Sequence, residues 1–225
     1  MRLTLLEAIR GLLERTYRIR TGIVDLGSFV IGDLGYRELY GARRGELDVG
    51  SALTHSARTL VRETGDGVAV CVYFPDSLIR RLEAFPPQRG LGQENLDAFA
   101  TFVEEIDHLL VIAERSLGRR PVSLLELELH ANVSKYLVLA RFLAGPGTGL
   151  DTEKRLWLRG RLFEEMRFCA TDRAVRRRYR EAARWACRLL DALSSLGPAD
   201  SVELLRCFHS SNLGDKLHLI SGLAA

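Results

Sequence analysis

Lysine is almost missing from this sequence. Lys135, Lys154 and Lys216 are the only three, although Lys and Arg together occupy 32 of 225 positions. The basic side is therefore arginine, whose planar fork suits bidentate recognition of carboxylate or phosphate. Excess charge is also small. A formal net charge of +3 does not by itself point to nucleic acid or membrane. Cysteine is sparse and scattered: Cys71, Cys169, Cys187 and Cys207 form no C-x-x-C pair. They read as small buried hydrophobes of a reducing compartment rather than a disulfide framework. No uninterrupted apolar run approaches the roughly 18 residues of a membrane span. The opening MRLTLLEAIRGLLERTYRIR is broken by Glu7, Arg10, Glu14 and Arg15 and does not read as a secretory signal. The expected location is cytoplasmic.

What is present is mostly helical. Leu5, Leu6, Ile9, Leu12, Leu13 and Tyr17 recur at helical spacing, and Thr4 with Glu7 makes a capping box. Between 21 and 52, glycine-punctuated runs predict short strands and turns. ARTLVRE and VAVCVYF, flanking Asp66-Gly67, predict a β-hairpin that pairs with the 27–32 segment or lies under helices. A short helix is expected from Pro75-Asp76-Ser77 to about Phe85.

Beyond Asn95 the helical pattern scarcely stops. Leu96, Phe99, Val103, Ile106, Leu110, Ala113 and Leu117 form a heptad-like seam closed by Gly118. Further helices are expected over 123–144, from Asp151 to about Phe168, and from about Asp172 to Leu196. Asp200 with Glu203 predicts another helix start, and 212–223 a last short helix. The fold class is α+β, predominantly α: a small N-terminal antiparallel sheet region packed on a four- to five-helix bundle. One domain over 1–225 is preferred, with residues 1–90 forming helix plus sheet and 91–225 the bundle. The heptad seam serves an internal bundle as readily as a homo-oligomer.

Two patterns carry potential chemistry. Glu104 precedes His108 by four residues, and Glu126 precedes His130 by four, both in apolar surroundings. Each pair shares a helix face. Burying such groups unpartnered costs several kcal/mol, on the order of 2–7 for a neutral polar group. Three arrangements remove that cost. Each glutamate bonds its own histidine; or the stripes join a buried network with other helices; or they hold Zn, Fe or Mn, with Glu165 or Glu164 as an added ligand. Pairing ranks first and metal last. Diiron carboxylate bundles use Glu-x-x-His on two helices. Glu105 and His108 have that spacing, but Leu127 stands at the matching place before His130, so the motif is half complete.

The second pattern is a stripe of Arg173, Arg177, Arg180, Arg184 and Arg188, opposite an apolar face of Val175, Tyr179, Ala182, Ala186, Leu189 and Leu193. The leading functional expectation is a non-enzymatic cytoplasmic protein that contacts a macromolecular partner, another protein or an acidic surface, through this stripe. Nucleic acid ranks lower, since no helix-turn-helix or RNP-like pattern is visible. The alternative is a metal-dependent enzyme with a Glu/His site between the 95–117 and 123–144 helices. GPGTG at 145–149 lacks the Gly-Lys-Ser/Thr ending of a phosphate loop and reads as a connector. Cys71 reads as a strand residue, and Trp157 and Trp185 as packing anchors.

Overall fold

The computed structural model describes residues 4–41, 56–65, 67–144, 149–164 and 172–223. Asp66, His55, Cys169, Glu165, most of the GPGTG connector and the end of the helix expected to reach Phe168 lie outside these residues.

Helix α1 (Leu5–Tyr17) starts where Thr4 Oγ1 accepts the Glu7 amide at 3.2 Å. It ends at Arg18 in left-handed geometry (φ 61°). After a 3₁₀ turn (Leu26–Phe29) come strand β1 (Val30–Ile31), helix α2 (Asp33–Gly41), and strands β2 (Arg58–Thr64) and β3 (Gly67–Tyr73). Helix α2 departs from the strand-and-turn expectation. Gly35, read as punctuation, instead permits close packing, since a β-carbon there would lie 3.2 Å from Ile31 Cβ. Strands β2 and β3 pair antiparallel, with Leu60 opposite Cys71. Val30 pairs with Val72 in parallel, so the sheet has order β1-β3-β2 and is mixed rather than wholly antiparallel. The long connection through α2 gives the chain the reach to return beside β3 in that sense.

Helix α3 (Asp76–Ala84) leads to the long pair α4 (Leu96–Leu117) and α5 (Leu124–Ala144). The α4 seam is buried from Leu96 to Leu110, whereas Leu117 at its end is 66% exposed. Helix α6 (Thr152–Arg159) is capped by Asp151, which accepts the Lys154 amide at 2.8 Å, and runs into a π-turn at Gly160–Glu164. Helix α7 (Arg173–Ser194) follows, then α8 (Pro198–Ser210) and α9 (Leu213–Gly222). Helix α8 begins two residues before the expected Asp200, because Pro198 takes the first helical position, where a missing N–H costs nothing.

The fold is thus predominantly α with a small mixed sheet. Helix α5 packs against α4 on one side and α7 on another, with α6 and α1 also in contact. Nine successive residues, Glu126 to Ser134, are buried. One apolar core runs from Ile9 and Leu13 on α1 through Leu129 and Val133 to Phe208 and Ile220, so α1 belongs to the bundle rather than to a separate N-terminal unit. Among the described residues, no helix is long and apolar enough to cross a membrane. The described cysteines are free; Cys71 and Cys187 are half-buried as expected of packing residues, but Cys207 is exposed. Burial raises the Cys71 thiol's pKa, which keeps it in its inert protonated form.

Candidate functional sites: two ionisable clusters and an arginine face

The four residues of the paired Glu-x-x-x-His pattern separate into two clusters, Glu126 and His130 in one and Glu104 and His108 in the other. His130 is bound at both nitrogens. Its Nδ1 lies 2.9 Å from Asp107 Oδ2 and its Nε2 lies 2.9 Å from His209 Nδ1. His209 Nε2 continues to Glu114 Oε2 at 2.6 Å. Asp107 also accepts from Ser134, whose Oγ is 3.0 Å from the Tyr17 hydroxyl. Tyr17 and Phe208 cover the two rings, with the Tyr17 and His130 centroids 4.5 Å apart.

The proton count along this chain is constrained. Three contacts (Asp107–His130, His130–His209, His209–Glu114) each need one N–H. Ionised carboxylates donate none, so with both carboxylates ionised the N–H groups of all three bonds come from the two rings. Burial works against ionising Asp107, yet the charge and hydrogen bond of His130 overcome it and hold Asp107 below its ordinary range. Glu114 is likewise lowered, against its partial burial, by its bond to His209. Burial lowers His209, and the nearby His130 and Arg115 charges act in the same direction against Glu114.

Glu126 does not bond its own histidine. Its Oε1 accepts from Arg115 Nη2 at 2.9 Å and from Lys216 Nζ at 2.8 Å. The same two cations donate to the His209 and Ser211 carbonyls at the C-terminal end of α8. Two buried cations thus share one carboxylate, and the negative end of the α8 dipole supplies further balance. Burial depresses Lys216, with Glu126 opposing and Arg115 reinforcing the shift.

Glu104 and His108 meet a residue that the sequence pattern did not single out, Glu128. One oxygen of each glutamate and one ring nitrogen of His108 all lie within 4.8 Å of one another. Glu104 Oε2 also accepts from Lys135 Nζ at 2.6 Å. His108 Nδ1 faces Glu105 Oε2 at 3.6 Å, and Glu105 accepts from the Thr59 hydroxyl of β2 at 2.7 Å. Tyr179 of α7 donates to Glu128. The buried His108 Nε2 has no hydrogen-bond partner among the described residues. Burial raises Glu128 to about 7, with Glu104 adding to the shift. Burial opposes charge on His108, but Glu105, Glu104 and Glu128 push it up to about 9.

The arginine stripe has the expected orientation. Arg173, Arg177, Arg180, Arg184 and Arg188 are exposed, while Ala182, Ala186 and Leu189 opposite them are buried and Tyr179 is half-buried. From Arg173 to Arg188 the stripe spans about 22 Å at 1.5 Å per residue. It lines a surface groove of about 1150 Å³ together with Asp172, Glu181 and Trp185. Among the described residues, Arg173, Arg177 and Arg184 form no ion pair; Arg188 stacks over Trp185 at 4.9 Å. Asp172 caps α7 through the Ala174 amide at 2.7 Å.

His209, Asp107, Glu114 and Lys216 were not singled out in the sequence as site partners. The connection at 118–123 carried a usable signal, because a tight helical hairpin sets residues equidistant from the turn against each other. Arg115 opposite Glu126 is one such pair. Partners contributed by α8 and α9 have no comparable local signal. Comparisons with protein-family models, with curated proteins and with solved structures return no match for this chain.

Proposed function

We propose that this is a non-enzymatic cytoplasmic interaction protein that binds an acidic surface of a partner protein through the exposed arginine face of α7. The observation that carries this reading is the alignment of five exposed arginines on one helix, three of them without a carboxylate partner among the described residues. Helix α7 is anchored on its other face by Ala182, Ala186 and Leu189, so the guanidinium groups are displayed on a rigid support. Guanidinium forks favour carboxylate pairs of defined geometry.

The test is affinity purification from the native cell with the full chain and with Arg177→Glu/Arg184→Glu. Both sites are exposed, so the variant's stability should stay within about 0.5 kcal/mol of the parent. A protein partner retained by the parent, released steeply by salt and lost in the variant is the expected result. Retention by the charge-reversed variant would overturn the reading, as would loss of the interaction after nuclease treatment.

A further inference from the structure

We infer that Glu104, His108 and Glu128 form a three-residue site for a divalent transition-metal ion, placed between α4, α5 and the buried face of α7. The inference is independent of the arginine face and goes beyond it.

Convergence is the first argument. One imidazole nitrogen and two carboxylate oxygens from two helices lie within 4.8 Å of one another. Bonds of about 2.0–2.2 Å place neighbouring ligand atoms roughly 3–3.5 Å apart. Small side-chain rotations therefore close the set around one ion. The second argument is the state of His108. Its side chain is 12% exposed, and Nε2 is buried with no partner among the described residues. A buried ring nitrogen left without a hydrogen bond is uncommon, and it stands ready as a ligand. The opposite nitrogen, Nδ1, faces Glu105, which is itself held by Thr59. Metal-bound histidines commonly carry such a carboxylate on the far nitrogen, where it fixes the ring and its tautomer.

Charge gives a third argument. Glu104, Glu105 and Glu128 bring three negative charges, and Lys135 on Glu104 brings one positive. A divalent ion bound through the neutral imidazole would offset the net negative charge of the group. Lys135 occupies one Glu104 oxygen and leaves the other to ligate. Tyr179 similarly orients Glu128 from α7. One nitrogen and two oxygens form a borderline donor set suited to Zn²⁺, Fe²⁺ or Mn²⁺, and three protein ligands leave room for water.

The experiment titrates Zn²⁺ alone into the metal-stripped full chain by calorimetry. One equivalent should bind with Kd of about 10 µM or tighter. Glu128→Gln, which keeps shape and removes charge, should weaken binding at least tenfold, whereas His218→Ala, at an exposed histidine, should leave it unchanged. Absence of binding at 100 µM Zn²⁺ would overturn the inference, as would binding that survives Glu128→Gln and disappears in His218→Ala. X-ray absorption of the Co²⁺-loaded parent needs no variant to fold. One imidazole with oxygen ligands supports the site; two imidazoles or any thiolate refutes it.

Discussion

Glu126 is the carboxylate on which the α8–α9 corner depends, and its removal has a calculable consequence. Arg115 and Lys216 both reach Glu126 Oε1, so the cations lie within about 6 Å of each other. The side chains of Arg115, Glu126 and Lys216 are 4%, 4% and 0% exposed, so water screens little of their interaction. At an effective dielectric of about 20, two like charges about 5 Å apart repel by roughly 3 kcal/mol. Glu126→Gln leaves that repulsion uncompensated and strands buried charge, for an expected loss of about 3–5 kcal/mol. Lys216→Met differs in kind. It removes one of the competing cations and leaves the Arg115–Glu126 pair, and Arg115 still donates to the His209 and Ser211 carbonyls. Its expected cost is about 1 kcal/mol, one hydrogen bond's worth. The double variant should be more stable than Glu126→Gln alone, because the repelling partner is gone. Equilibrium urea unfolding of the four proteins measures all of this. An m value of about 3 kcal/mol/M turns the Glu126→Gln loss into a midpoint shift of more than about 1 M. If Glu126→Gln costs no more than Lys216→Met, or the double variant falls below both singles, Glu126 is not the shared counter-ion.

Two further outcomes test the other cluster and the buried proton chain. Asp107→Asn keeps an acceptor for His130 but removes the buried carboxylate charge that the His130 and Ser134 bonds hold in place, so stability should fall by about 3 kcal/mol in urea titration at neutral pH. Asp107 is held below its ordinary value of 3.8, so its contribution is present above that value and lost as pH falls through the folded one. Asp107→Asn should therefore flatten the acid limb of the stability profile. Glu128 runs the other way. Its pKa rises from 4.5 to about 7 on folding, so the metal-free folded chain keeps a proton that the unfolded chain has shed. Its contribution should decline as pH rises from 4.5 to about 7, and Glu128→Gln should remove that slope in melting curves recorded with chelator.

The long elements were legible because their signals are local. The α4 seam, the Thr4 and Asp151 caps, the two faces of α7 and the β2–β3 hairpin each need only a few neighbouring residues to be read. What failed was context. The glycines of α2 looked like turn residues because the approach of Ile31 to Gly35 cannot be seen along the chain. The ionisable stripes were visible as residues that a buried helix must satisfy, and the structure supplies that partnering. Their partners were not visible, because both faces of α5 are covered and Glu128 lies well around the helix from Glu126 on the other one. A carboxylate two positions along therefore belongs to a different cluster. His209 and Lys216 enter from helices about ninety residues away, beyond any spacing rule.

Helix α5 is enclosed on every side from Glu126 to Ser134, and that enclosure sets a hierarchy of opening. Most of this stretch lies away from the ends of α5, and fraying of the helix termini does not by itself bring those amide protons to solvent. Hydrogen–deuterium exchange there should need the whole bundle to come apart, and the residues of α2 and the exposed β2 edge should exchange through small local openings. Both ionisable clusters draw on this same stretch of backbone. The segment expected to exchange slowest among the described residues is thus also the one that carries the buried ionisable side chains of both clusters.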